Sequence, residues 1–128
     1  MRNESNPLEP RCNVVAIFTP KPEHRDEIRS LLLRITPIVH DEPGCELYAM
    51  HEDVEGRFIY VETWTTRGDW TDHVDRQTVK DILAGVEGKL IGEIQVFEMH
   101  NLSTGSSGKG SLPWSQSSPL GAFDLFGN

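Results

Sequence analysis

Cysteine is scarce in this sequence: Cys12 and Cys45 are the only two among 128 residues. Two thiols cannot frame a domain of this size with disulfides, and their spacing matches no metal-binding motif. Both open apolar, β-prone runs, which suits ordinary buried thiols. Long hydrophobic runs are missing too. No segment approaches the roughly 20 apolar residues that span a bilayer, and the polar stretch 1–11 lacks the apolar centre of a signal peptide. These absences point to a cytoplasmic protein. Positive charge is also short, with 12 Lys and Arg against 20 Asp and Glu and a net charge of −8. Such a surface repels nucleic-acid phosphates and anionic membranes, so neither is an expected partner. The apolar fraction of 37% is modest for a packed globule. Either part of the chain buries little, or some burial happens against a second subunit.

What is present falls into alternating patterns. Residues 12–19 form a β-branched and aromatic run that reads as a strand. Pro20 and Pro22 end it and open a helix, with Glu23, Asp26 and Glu27 well placed in its first turns. Ile28, Leu31, Leu32, Ile35 and Val39 recur at helical spacing, and Pro37 is expected to kink or end the helix. After the Glu42-Pro43-Gly44 turn, residues 45–52 alternate Cys45, Leu47 and Ala49 against Glu46, Tyr48 and Met50. A turn at Asp53–Gly56 leads into a second strand over 57–65, giving a hairpin. Thr66 with Asp69 resembles a capping box. It opens a second helix carrying Trp70, His73, Val74 and Gln77 on one side, broken by Gly85 and Gly88. Residues 90–99 make the last strand.

Strand, helix, strand, strand, helix, strand is the order of a ferredoxin-like βαββαβ unit. Its two right-handed crossovers place both helices on one face of a four-stranded antiparallel sheet. Apolar residues on both faces of the strands (Val14 to Phe18, Phe58 to Val61, Ile94 to Phe97) leave the open face in want of a partner, and a homodimer packed sheet against sheet supplies one. Residues 1–11 read as a flexible arm and 12–102 as the domain. From 103 the composition turns to a Gly/Ser linker. Leu112, Trp114, Leu120, Phe123, Leu125 and Phe126 then stand in a Ser/Pro/Gly background too poor to fold alone. The tail over 103–128 is either inert or a motif over 112–128 that docks on a protein partner.

The run Glu42-Pro43-Gly44-Cys45, the Glu62-Thr63-Trp64 at the end of the third strand, and a histidine nine residues beyond that tryptophan, His73, stand together in register. With Lys21-Pro22-Glu23 after strand one, they resemble the antibiotic biosynthesis monooxygenase superfamily, in its quinol-monooxygenase-like form. The resemblance spans residues 12–99. It implies a dimer whose two sheets combine into an α+β barrel. It also implies oxygenation of a quinol or polyketide-like phenol by O₂ without flavin, haem or metal. In that chemistry the protein supplies a base, a dry pocket and polar groups that hold an anion. Many members carry a second histidine where this chain has Thr78. Haem-degrading relatives place an axial histidine near the position of Leu83, a tryptophan near that of His73 and an asparagine near that of Val15, so the resemblance does not extend to haem degradation.

Individual residues can then be weighed. His73 is the leading candidate for a base or anchoring group, since imidazole accepts a proton near neutrality. Its other reading is a histidine hydrogen-bonded in the core or at a dimer contact. Glu62 shares a strand face with Tyr60 and Trp64 by the two-residue period. A carboxyl flanked by aromatics has a raised pKa, or it serves as a structural acceptor for backbone or indole N–H groups. Trp64, Tyr60, Trp70, Tyr48 and His40 are candidates to line a pocket for an aromatic substrate, Trp64 having the other reading of a packing residue or interface anchor. Tyr48 and His51 fall on opposite strand faces, so only a bulge would let both line one pocket. His24 and His100 read as solvated, and Arg57 as a turn-flanking surface residue. Two rival functions remain: an isomerase or lyase using the same pocket for proton transfer, and a non-catalytic dimeric module recruited through its tail.

Overall fold

Alternation in the apolar runs decides which side chains the sheet buries, and it does so in the expected order of elements. The computed structural model describes residues 11–103 and 105–112. Within them lie β1 (Cys12–Phe18), α1 (Arg25–His40), β2 (Cys45–Glu52), β3 (Phe58–Trp64), α2 (Arg67–Val74), α3 (Gln77–Val86) and β4 (Gln95–Met99), with a short 3₁₀ turn at Pro22–His24 before α1. The strands run β2-β3-β1-β4 across one sheet, each antiparallel to its neighbour. The ferredoxin-like α+β architecture is therefore present, with β2 and β4 at the edges.

One face of the sheet packs under the helices. Val14, Ala16 and Phe18 of β1 and Phe58, Tyr60 and Trp64 of β3 meet Ile28, Leu32, Ile35 and Val39 of α1 and Ile82 and Val86 of α3. Each fully buried large apolar side chain contributes on the order of 1.5–3 kcal/mol, so this one layer is the principal source of stability. The opposite face carries Val15 and Ile17 paired with Val61 and Ile59, flanked by Ala49 and Phe97. No helix covers it.

Several local readings need correction. Pro37 does not end α1, which continues to His40. The proline sits on the exposed side, above an exposed Leu33, so the carbonyl it displaces can turn to solvent. The second helix is two helices. Asp75 N–H bonds back to Asp72 and His73 carbonyls, Arg76 is extended, and α3 restarts at Gln77. Buried His73 is followed by buried Thr78, Ile82 and Val86, a phase that a continuous 3.6-residue helix cannot keep, and the break resets it. Gln77 opens α3 in solvent instead of sharing the face of His73. Gly85 lies inside α3, where a Cβ would stand 2.4 Å from Leu31 Cδ2. It lets α1 and α3 approach, and does not break the helix.

Strand β2 departs from plain alternation. Its pairing with β3 skips a residue between Cys45 and Leu47, a bulge that brings Cys45, Tyr48 and Met50 together against the core. Cys45 therefore does not share a face with Leu47 and Ala49. Strand β4 is shorter than residues 90–99; Leu90 makes only an isolated bridge to Pro20. The Thr66 cap is present, its side chain accepting from Asp69 N–H. In the Gly/Ser stretch the chain doubles back, with Asn101 Nδ2 and Ser103 Oγ both donating to the Gly110 carbonyl. The expected docking motif lies, apart from Leu112, outside the described residues, as does most of the expected N-terminal arm. No helix among the described residues is long and apolar enough to cross a membrane.

Candidate active site

Between the sheet and α2–α3 lies a cavity of about 260 Å³. Apolar side chains form most of its wall: Val14, Ala16 and Phe18 from β1, Val79, Ile82 and Leu83 from α3, and Ile94 and Val96 from around β4. The polar side chains that line this mostly apolar space are Tyr48, Tyr60, Glu62 and His73. Trp70 and Val74 complete the lining, and half-exposed Val74, Leu83 and Val96 give the cavity an apolar rim. The pattern is that of a small-molecule site: mostly apolar, with a few convergent polar groups.

Each polar group is placed by its element. The period of β3 aims Tyr60, Glu62 and Trp64 at the helices. Glu62 is 4% exposed, and its Oε1 accepts the Trp64 indole N–H at 2.9 Å. Both readings of this carboxyl therefore hold at once: it is a structural acceptor, and its burial, helped by the nearby charge of Glu42 and opposed by the indole hydrogen bond, pushes its pKa up to about 7. Tyr60 directs its hydroxyl to α1, 2.7 Å from Thr36 Oγ1, and donates to the Leu32 carbonyl at 3.3 Å. Burial pushes it up to about 12 and raises Tyr48 as well, so both phenols stay protonated.

His73 arrives from the last turn of α2, one helical turn after Trp70. Its ring is stacked on Trp64 (centroids 4.6 Å apart) and meets Tyr48 edge-on at 5.5 Å. Burial lowers its pKa, against the opposing pull of Glu42. Nδ1 lies 2.7 Å from Glu42 Oε1, and the other Glu42 oxygen accepts from Thr78 Oγ1 at 2.6 Å. Nε2 has no hydrogen-bond partner among the described residues, so it is the ring nitrogen left for the cavity.

The structure thus gathers His73, Glu62, Tyr60, Tyr48 and Trp70 around one space. Trp64 belongs behind the site, fully buried against His73 and Glu62, and does not line the cavity. His40 does not reach it. It stands on the far side of Tyr48, its Nε2 2.9 Å from the Tyr48 carbonyl oxygen, and faces a separate open groove along β2. His51 is exposed on the uncovered sheet face, and Arg57 pairs with Asp53 of its own turn at 2.6 Å. Burial pushes the Cys12 and Cys45 thiols up to about 11, leaving both inert. Among the described residues no group of three or more His, Cys, Asp or Glu side chains is arranged to hold a metal ion. Glu42 and Thr78 were not among the candidates read from the sequence. The available signal was the position of Glu42 in the turn that precedes β2, whose chain geometry Gly44 controls.

No curated protein matches the chain. Solved structures do. Rv0793 from Mycobacterium tuberculosis is 24% identical and superposes with a TM-score of 0.69 over 73% of this chain and 97% of its own. PA3566 from Pseudomonas aeruginosa is 20% identical, with a TM-score of 0.68 over 74% of this chain and 97% of its own. A protein described as an antibiotic biosynthesis monooxygenase is 22% identical, with a TM-score of 0.67 over 71% and 98%. At these identities the likeness is one of fold. The family model for antibiotic biosynthesis monooxygenases matches residues 12–85, a span that holds Glu42, Glu62 and His73 and exceeds half the sequence; the chain belongs to that family.

Proposed function

We propose that this protein is a monooxygenase that oxidises a quinol or related phenol with O₂ in the cavity lined by Glu62 and His73. The observation that carries the reading is the pairing of a carboxyl pushed to about 7 with a neutral histidine in one apolar space. A carboxyl whose pKa is raised by burial and an imidazole whose pKa is lowered by it, set in a mostly apolar cavity, suit phenol deprotonation and the later return of those protons. Family membership supports oxidative chemistry over other proton transfers.

In the proposed sequence His73 Nε2 takes the phenolic proton, and the protonated Tyr48 hydroxyl is a donor for the anion. The phenolate passes one electron to O₂. Phenoxyl and superoxide recombine at a ring carbon, forming a C–O bond, and His73 returns its proton to the peroxide. The Glu62 carboxylate then removes the C–H proton as the O–O bond breaks, and passes that proton to the departing hydroxide. A phenol with a free ring position plus O₂ gives a quinone plus water, and both protein groups return to their starting states. The uncovered apolar sheet face is proposed to pair with that of a second copy, which completes the barrel.

The test is O₂ uptake by the purified protein with a panel of hydroquinones and polycyclic phenols, read against the autoxidation blank. Uptake of one O₂ per substrate, with no O₂ recovered on adding catalase and a large loss in His73→Ala, supports the assignment. Turnover of the same compounds under anaerobic conditions would instead make the cavity an isomerase or lyase site.

A further inference from the structure

We infer that Glu42 is a positioning residue: clamped by Thr78, it holds the proton of His73 on Nδ1 and so presents Nε2 to the cavity as a proton acceptor. The claim about function rests on the role of His73 proposed above, but the geometry stands apart from it. Three separate elements meet at this carboxylate. It comes from the turn between α1 and β2, His73 comes from the end of α2, and Thr78 from the first turn of α3. Glu42 is 8% exposed at its side chain, and each of its oxygens has a short hydrogen bond, 2.7 Å to His73 Nδ1 and 2.6 Å to Thr78 Oγ1. A carboxylate only accepts, so the hydrogen between it and the ring belongs to Nδ1.

The surroundings limit the ways this arrangement can relax. Trp64 stacked on one side of the ring and Tyr48 at its edge prevent it from turning over. The other charged groups near the pair are Arg76, whose Nε is 3.9 Å from Glu42 Oε1, and Glu62, which reaches the ring through Trp64. Neither hydrogen-bonds the imidazole. The turn itself is anchored: Gly44 has φ +80°, and a Cβ there would stand 2.3 Å from Asp69 Cγ at the start of α2. The Thr65 backbone N–H also donates to the Gly44 carbonyl at 2.8 Å. Thr78 gives the clamp its second arm from the position where many family members carry a histidine.

Glu42→Gln tests the inference, because its amide can donate to Nδ1 where the carboxylate could only accept. In ¹⁵N-labelled protein, long-range ¹H–¹⁵N correlations of the five histidines report the tautomer of His73 directly, without any substrate. The expected result is an Nδ1–H tautomer in the parent and a resolved Nε2–H population in Glu42→Gln. Once a substrate is in hand, kcat should fall on the order of 10²-fold with KM little changed, as for other histidines left in the wrong tautomer. Thr78→Val should speed exchange of the Nδ1–H proton about tenfold by loosening the clamp, and Thr78→Ser should restore it. A folded Glu42→Gln variant that keeps the parent tautomer overturns the inference, as does unchanged proton exchange in Thr78→Val. If no phenol in the panel is oxidised, the proposed reaction fails while the tautomer measurement still decides the role of Glu42.

Discussion

Glu62 sets stability against chemistry within one side chain. In the unfolded chain its carboxyl titrates near 4.5; in the fold, burial pushes it to about 7. Between those values the folded state binds more protons than the unfolded state, so stability falls as pH rises. The contribution is fully present below about pH 4.5 and is lost as pH climbs through 7, a change of roughly 3 kcal/mol by linkage. Glu62→Gln keeps an oxygen for the Trp64 indole and removes the charge. Urea melts should show this variant more stable than the parent at pH 8 by up to about 3 kcal/mol and nearly equal to it at pH 5. Its oxygen uptake should fall by two orders of magnitude or so if Glu62 moves protons as proposed. Equal stability at pH 8 would mean that the carboxyl is not held in the buried state described. How far such a site is legible beforehand depends on where its partners sit. Glu62, Tyr60 and Trp64 share a face because they lie two apart on one strand, so periodicity alone groups them. Glu42 and His73 are 31 positions apart and meet only when the α1–β2 turn folds over α2. His40, expected to line the pocket, lies at the end of α1 with its ring against the Tyr48 carbonyl, and which side of Tyr48 it takes depends on how α1 packs on β2, which local sequence does not show.

At the scale of elements, two glycines set how closely the pieces approach. Gly44 occupies the left-handed region and faces Asp69, so a side chain is excluded both by conformation and by contact. Gly44→Ala should cost about 2 kcal/mol, read as a lower urea midpoint at constant slope. It should also loosen the His73–Glu42 pair, because the same turn carries Glu42. Gly85 is different, being helical, and the atoms nearest to where its Cβ would stand belong to the Leu31 side chain of α1. Gly85→Val gains some helix propensity but forces overpacking between α1 and α3. The second effect is larger, for a net loss of about 1–2 kcal/mol; a variant as stable as the parent would show that the α1–α3 contact yields freely. Neither the place of Gly85 nor the break at Asp75–Arg76 is visible in local propensity, because both answer to packing across the core. A trace of the break exists: apolar positions after Val74 resume at Val79, Ile82, Leu83 and Val86, two residues out of phase with the continuation of Trp70, His73 and Val74. Pro37 does not end α1, and it stands on the exposed side of the helix above exposed Leu33, where water is available to the carbonyl left without its N–H partner.

For the whole molecule the unresolved demand is the second sheet face. Val15, Ile17, Ile59 and Val61 form its centre, and every residue of β4 is exposed in the single chain, Phe97 at 48% and Met99 at 37%. A monomer leaving that surface in water loses the burial that edge strand β4 needs. The second copy proposed above would supply that burial. Charge acts the other way, since each chain carries −8 and two like-charged protomers repel. Apolar contact must therefore exceed Coulomb repulsion that salt can screen. The proposed pairing predicts a dimer of 14.4 kDa chains by sedimentation velocity, with a dissociation constant that decreases as NaCl rises from about 0.02 to 0.5 M, the direction opposite to an interface held by salt bridges. Val61→Glu, a charge at the centre of the face, should yield a folded monomer. Because β4 carries Val96 on the cavity rim and Phe97 on the outer face, separating the protomers should also weaken substrate binding severalfold without touching any residue of the cavity. A chain that sediments as a monomer at every salt concentration would remove the dimer, and would leave the covering of Phe97 and Val61 to another part of the chain or to a different protein.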